Sequence, residues 1–230
     1  MNLAGKNRKT AKATRASSVA DALRSSILFG ELKPGTKVNL DQMRTHFGVS
    51  LSPLREAIAR LVNTGLVELE DQRGYRIAPV SVENLAEVTR LTADIECLAL
   101  GYAIDDAALD WESNVLGALH RLNRAAQNVT DAGLVRDREM AHAAFHSTLI
   151  AGCGMPILIE FCGTLRNLTD RYRRLYENPH SLDVAEHTAI AEAAAVNRDR
   201  KSAQNLLRTH YERTGADLAE KLAAQLQGVT

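Results

Sequence analysis

Between residues 50 and 65 the apolar positions Leu54, Ile58, Leu61 and Val62 recur at helical spacing on one face, while Ser52, Arg55 and Ala59 share the other. Ser50 stands where an N-cap oxygen is wanted, Pro53 falls in the first turn where a missing N–H does no harm, and Asn63-Thr64-Gly65 supplies the stop. One face is expected to pack and the other to meet a partner. Residues 40–47 precede this stretch as a short helix broken at Gly48. Residues 66–69 and 75–78 follow it as two strands joined by Glu70-Asp71-Gln72-Arg73-Gly74, a turn-rich tip that projects one arginine. Two helices across a glycine turn, followed by a ribbon, predict a winged helix-turn-helix. Its second helix would lie in the major groove of double-stranded DNA with its N-terminal residues toward the bases.

An amphipathic helix comes before the pair, running from Ser18 through Val19, Ala20, Leu23, Ile27 and Leu28 to a stop at Gly30, and Pro34-Gly35 turns the chain onward. After residue 80 the pattern changes. Gly and Pro serve only as punctuation, and alanine, leucine, glutamate and arginine dominate. Helices are predicted at about 82–105, 109–128, 133–151, 156–177, 183–197 and 200–226, the first capped by Ser81. Each has a single apolar stripe, such as Trp111, Val115, Leu119, Leu122 and Ala126, or Leu158, Phe161, Leu165, Leu168, Tyr172 and Leu175. Stripes of this width, joined by short loops, fit antiparallel packing. The expected fold class is mainly α, an N-terminal winged helix-turn-helix followed by an antiparallel all-helical bundle.

Composition sharpens this division. The formal net charge is zero, yet residues 1–80 hold 13 Lys and Arg against 7 Asp and Glu, and residues 81–230 hold 15 against 21. The basic part coincides with the helix-turn-helix, as a phosphate-binding surface requires. Lys6, Arg8, Lys9, Lys12 and Arg15 lie in a stretch without acids and with few apolar residues. A flexible basic arm is therefore expected over 1–17, a DNA-binding domain over 18–80 and a helical domain over 81–230. Cys97, Cys153 and Cys162 form no CxxC pair and are odd in number, which argues against a disulfide framework or a thiolate zinc site. With no signal-peptide pattern and no run approaching about 18 apolar residues, a soluble, cytoplasmic protein without a membrane partner is expected.

Four of the seven histidines have informative positions. His142 and His146 are four residues apart, so both imidazoles leave one helical face a turn apart, a spacing able to chelate one ion. His187 and His210 lie on two later helices. A metal-dependent hydrolase carrying a winged helix is the rival to a regulator, and it would need a general base beside the metal. Ala143, Ala144 and Phe145 separate the paired histidines, and no phosphate loop, GxSxG elbow or Cys/His couple is present elsewhere. No enzymatic activity is expected.

The run GVSLSPLREAI, with the GLV and RGY that follow, resembles the N-terminal winged helix of the GntR family of bacterial transcription regulators. The resemblance implies DNA binding, with Ser50, Ser52 and Arg55 facing the operator, Arg44 on the preceding helix beside them, and Arg73 and Gly74 in a wing near the minor groove. Leu51 stands where the family commonly has arginine, so that contact does not carry over. HAAFHSTLIAGCGMPIL and EHTAIAEAAAVNRDRKSAQNLLRTHY resemble the C-terminal FCD domain of the FadR subgroup, a helical bundle that holds a divalent metal through one aspartate and three histidines. Position by position, His146, His187 and His210 match the histidines, and the usual aspartate falls on His142.

Four neutral imidazoles would leave a divalent charge uncompensated and soften the donor set, which favours zinc or nickel over manganese or magnesium. An anionic guest would then be favoured, since charge away from water is costly to leave unpaired. The resemblance implies a small organic acid as effector. AGCG is similar to the same stretch in carbon-starvation regulators that respond to glutarate, so a dicarboxylate is the simplest expectation, although Met155 replaces a common asparagine. Asn167 and Arg171, four residues apart, are candidates to clamp the guest's far end. Glu96 is a further candidate at the effector site, or as a group that orients a metal-bound histidine from behind. The resemblance also implies a homodimer reading a pseudo-palindromic operator, with repressor the expected role.

Overall fold

A computed structural model describes residues 14–127, 132–176 and 183–227. The chain divides into two compact units, Met1–Pro79 and Val80–Thr230. In the first, α1 (Arg15–Leu28), α2 (Leu40–Phe47) and α3 (Leu51–Asn63) precede an antiparallel ribbon of β1 (Val67–Glu70) and β2 (Gly74–Ile77). Leu54, Ile58 and Leu61 of α3 are buried against α1, whose Val19, Leu23 and Ile27 are equally enclosed. Burial of this kind stabilises by about 1.5–3 kcal/mol per side chain. Gly48 closes α2 in the left-handed region at φ 60°, where a side chain would be strained.

Three local expectations need correction. The first helix begins at Arg15, not Ser18, because Thr14 caps it by accepting from the Ser17 N–H at 3.2 Å and Ala16 is already buried. Residues 15–17 of the expected arm are therefore helical, and residues 1–13 lie outside the described residues. Each strand is displaced by one residue, with register from Val67↔Ile77 to Glu70↔Gly74. Leu66 and Ala78 stay buried but are joined outside the ladder, the Ala78 N–H donating to the Leu66 carbonyl at 3.1 Å. Ser50 does sit at the N-cap of α3 with extended backbone, yet its hydroxyl makes no capping bond.

The second unit comprises α4 (Val82–Asp106), α5 (Leu109–Ala126), α6 (Ala132–Ile150), α7 (Pro156–Tyr176), α8 (Val184–Ala191) and α9 (Arg200–Gln227). Ser81 caps α4 as expected, accepting from the Asn84 N–H at 3.1 Å. The expected ends at 128 and 177 lie outside the described residues. α4 runs along both α7 and α9. At Gly215 an added Cβ would come within 2.5 Å of Thr89 Cγ2, so this glycine is what lets α9 approach α4 so closely. The core is built from Ala99, Leu100, Trp111, Val115, Phe145, Leu149 and Ile190, and the Trp111 indole N–H donates to the Thr148 carbonyl at 3.0 Å.

The helix expected over 183–197 is not uniform. After Ala191 it widens into a π turn over Glu192–Val196, with the Asn197 N–H reaching the Glu192 carbonyl at 2.9 Å. The enclosed side chains of this turn are Ala193, Ala194 and Ala195, small enough to fill the space beside a wider coil. No helix among the described residues is long and apolar enough to cross a membrane.

Candidate metal centre and nucleic-acid interface

Arg44, Ser50, Ser52, Arg55, Arg73 and Gly74 are all exposed on the first unit. The recognition helix presents Ser52 and Arg55 because Leu54, Ala57, Ile58 and Leu61 claim its opposite face. Among the described residues, the Arg55 and Arg73 side chains make no hydrogen bond or ion pair, and Arg44 approaches only Asp41, at 4.0 Å. Other arginines of this unit are committed. Arg60 bonds to Glu56 at 2.7 Å and to Ser17 at 2.9 Å, while Arg76 bonds to Glu70 and to the Gly35 carbonyl, each at 2.5 Å. The wing tip turns on Gln72 and Gly74, whose φ values of 61° and 91° lie in the left-handed region.

In the second unit, α6 supplies His142 and His146, α8 supplies His187 and α9 supplies His210. One ligating atom from each lies within 4.8 Å of all the others, and all four residues are buried. Burial, followed by the charges of Arg173 and the other histidines, holds His142 well below its ordinary pKa. Burial and the charges of His210, His187, Arg166 and Arg173 do the same to His146. His187 is pulled down to about 3, first by burial and then by His210, against a smaller opposing bond to the Asp183 carbonyl. Imidazoles kept neutral have lone pairs to give.

Hydrogen bonds on the outer side of the rings direct those lone pairs. The His187 Nδ1–H donates to the Asp183 carbonyl at 2.7 Å, and the His210 Nδ1–H to Glu186 Oε2 at 2.8 Å. His146 Nδ1 lies 3.1 Å from the Tyr211 hydroxyl. Three nitrogens in the cluster, His142 Nδ1, His146 Nε2 and His187 Nε2, are buried without a partner. Unpartnered buried polar atoms are rare in folded proteins, and here they converge on one point. The donor set fits a borderline divalent cation.

A belt of buried charge adjoins the histidines. Glu139 accepts from Arg138 at 2.8 Å, from Arg173 at 2.9 Å and from Arg174 at 3.2 Å, and Asp170 lies 3.5 Å from Arg173 and 3.6 Å from Arg174. Burial alone would raise the Glu139 pKa, but the arginines outweigh it and hold the carboxyl at about 2. Arg138, Arg166, Arg173 and Arg174 are enclosed and paired with Glu96, Glu139 or Asp170, and Arg171 is buried beside them.

The expected effector residues Glu96, Asn167 and Arg171 occupy three different surroundings. Glu96 is fully buried and both its oxygens are taken, Oε1 by Arg166 at 2.8 and 2.5 Å and Oε2 by the Tyr211 hydroxyl at 2.6 Å. It has no oxygen left for a guest and would repel an anionic one. Burial pushes its carboxyl up, and Arg166 and Tyr211 oppose that. Burial would likewise lower Arg166, but Glu96 holds it above its ordinary value. The two-pronged Arg166 contact marks this as an ion pair. Arg171 is buried on another side of α7, its guanidinium carbon 5.9 Å from the Tyr172 ring centre, and Asn167 is half-buried. The arginines whose charges bear on the histidines are Arg166 and Arg173. Sequence reasoning missed Arg166, Arg173, Glu139 and Tyr211. The spacing of seven between Arg166 and Arg173, and Tyr211 directly after His210, were the available signals.

Residues 15–77 match the family described as "Bacterial regulatory proteins, gntR family", and residues 87–213 match the FCD domain. The chain is 29% identical over 195 residues to the HTH-type transcriptional repressor GlaR of Escherichia coli, covering 82% of this chain and 88% of that protein. It is also 29% identical to the uncharacterized HTH-type transcriptional regulator BphR of Paraburkholderia xenovorans, covering 83% and 79%. Among solved structures, Escherichia coli McbR/YncC superposes with a TM-score of 0.77 at 19% identity, over 91% of this chain and 99% of that one. A putative GntR regulator from a Rhodococcus species superposes with 0.72 at 22% identity, over 89% and 97%. At these identities the structures show a shared fold.

Proposed function

The chain belongs to the GntR family of bacterial regulators and carries an FCD domain, and on that premise we propose that it is a repressor released or engaged by a small organic acid bound beside a metal. The family and the relatives are DNA-binding transcription regulators, not enzymes. His142, His146, His187 and His210 would hold the cation, with zinc or nickel the best match to four nitrogen donors. Bound there, the ion would supply an uncompensated positive charge to the cavity. Glu186 and Glu96 stand behind two of the rings, yet each is also paired with an arginine, Arg213 at 2.6 Å and Arg166 at 2.5 Å. Neither therefore neutralises the centre. An anion would compensate that charge, and a dicarboxylate would meet the demand.

The observation that carries this reading is a buried four-histidine cluster whose ligating atoms lie within 4.8 Å of one another and in which three ring nitrogens have no partner. Thermal melts of the full chain, with zinc or chelator and with a series of small carboxylates, test it. A stabilisation by carboxylates that disappears with chelator and in His187→Ala is expected, because a ligand that binds only the native state raises the melting point. Equal response with and without metal would remove the metal-held effector.

Operator recognition falls to Ser50, Ser52 and Arg55, with Arg44, Arg73 and Gly74 at the flanks. Dimerisation has a suitable face. Leu91, Leu98 and Tyr102 are exposed along one stripe of α4 with Ile95 between them, and Ile157 and Phe161 are exposed on α7. The two helices adjoin there, since Cys162 Sγ lies 3.9 Å from the Ile95 carbonyl. A second copy across a two-fold axis would cover this apolar surface and match a pseudo-palindromic operator. Sedimentation should show a dimer that Phe161→Glu converts to monomer with loss of operator binding. A monomeric wild type that binds the operator fully would exclude it.

A further inference from the structure

We propose that Tyr211 is a positioning residue that fixes the tautomer of His146, using its single proton on Glu96 so that its oxygen can only accept from His146. This rests on the four-histidine reading for its purpose, but not for its geometry.

A tyrosine hydroxyl has one proton to donate and lone pairs to accept with. Glu96 Oε2 lies 2.6 Å from the Tyr211 oxygen, the short distance of a charge-assisted bond, and as a carboxylate it can only accept. The Tyr211 proton is thereby committed. The same oxygen lies 3.1 Å from His146 Nδ1, so that nitrogen must carry the hydrogen. His146 Nε2 is then left as a bare lone pair, buried, without a partner and inside the cluster. Glu96 cannot do this alone, since its Oε2 is 3.9 Å from His146 Nδ1, beyond hydrogen-bond reach.

The relay has a firm foundation. Arg166 grips the other oxygen of Glu96 and donates onward to Ser147 Oγ at 2.5 Å, a residue adjacent to His146 on α6. The chain Ser147–Arg166–Glu96–Tyr211–His146 thus joins α6, α7, α4 and α9 in one circuit, buried except at Ser147. His187 and His210 are fixed in the same tautomer by simpler acceptors, a carbonyl and a carboxylate. His142 has no hydrogen bond of this kind, and its Nδ1 is partnerless. The three histidines are pre-oriented and the fourth is left to adjust.

Nitrogen-15 NMR of the imidazoles in the metal-free full chain reads the tautomers directly. His146 is expected as the Nδ1–H form in the wild type. Tyr211→Phe keeps the ring and removes the acceptor, so His146 should shift toward the Nε2–H form, and zinc affinity by chelator competition should fall about 10–100-fold, the range for loss of an outer partner. Glu96→Gln gives a sharper result. Arg166 would claim the amide oxygen, the amide nitrogen would face Tyr211 as a donor, and the tyrosine proton would turn to His146 Nδ1, reversing the tautomer. An Nε2–H His146 in the wild type, or an unchanged tautomer in both variants, would overturn the proposal. A locked tautomer in a protein that binds no zinc would leave the lock standing and defeat the metal-site reading instead.

Discussion

The two units use arginine in opposite ways. In the winged helix, Arg55 and Arg73 are exposed and, among the described residues, their side chains make no hydrogen bond or ion pair, so water solvates their charge at little cost. In the helical bundle, Arg138, Arg166 and Arg173 are at most 6% exposed and are held by Glu139 or Glu96. A bare guanidinium at the surface is available to phosphates and base edges. A buried one must be compensated, and here Glu139, Glu96 and Asp170 supply the opposite charge. The difference suits the exposed arginines to DNA, whereas the buried ones are spent on holding the bundle together.

The largest expected effect breaks the buried side of this comparison. Glu139→Gln removes the charge that Arg138, Arg173 and Arg174 share, and removing one partner of a buried pair costs about 3–5 kcal/mol. Denaturant melts of wild type and variant measure it. A loss below about 1 kcal/mol, the level of a surface pair, would mean that the belt is solvated.

The same carboxylate sets a pH dependence. Its folded pKa of about 2 lies below the ordinary carboxylate value, so folding favours the ionised form. The stabilisation is fully present above the unfolded pKa of about 4.3 and is lost as pH falls through the folded value. The wild type should lose about 3 kcal/mol in all from this group as pH falls from about 5 to about 1, and Glu139→Gln should lack that component. Parallel pH–stability curves would show that Glu139 does not hold the charge assigned to it.

These contrasts were only partly legible in the sequence. The recognition helix was, because Leu54, Ile58 and Leu61 form a clean stripe and the exposed residues follow by subtraction. The four histidines were also legible, since spacing of four on α6 survives any small error in helix ends. The buried arginines were not. The spacing of four singles out Asn167 and Arg171, but the arginine charges that act on the histidines are those of Arg166 and Arg173. Charged residues also read as surface by default, so a belt of buried arginines contradicts the prior that composition supplies. The π turn after Ala191 was hidden for a different reason. A run of alanines has no periodicity from which a change of helical pitch could be read.

On the exposed side, Arg55→Ala should weaken operator binding by about 1–3 kcal/mol and relax discrimination at one base pair. Titrations against operator and scrambled DNA at several salt concentrations separate the possibilities. A uniform loss on both DNAs, with the salt slope reduced by about one, would make Arg55 a phosphate contact instead.

The smallest effect concerns Arg60 on the same helix, five residues and about 140° around the axis from Arg55. Arg60 is bonded to Glu56 at 2.7 Å and to Ser17 at 2.9 Å, and its side chain is 46% exposed. It therefore serves as an internal control for the claim that lack of a partner, not exposure, marks a DNA-contacting arginine. An exposed pair of this spacing is worth about 0.3–0.5 kcal/mol. Arg60→Ala should lower the stability of the chain by about that amount and leave operator affinity, sequence discrimination and salt slope at wild-type values. If Arg60→Ala instead weakens operator binding as much as Arg55→Ala does, intramolecular pairing does not withdraw an arginine from the DNA surface. The contrast drawn within α3 would then fail even if the buried belt behaves as described.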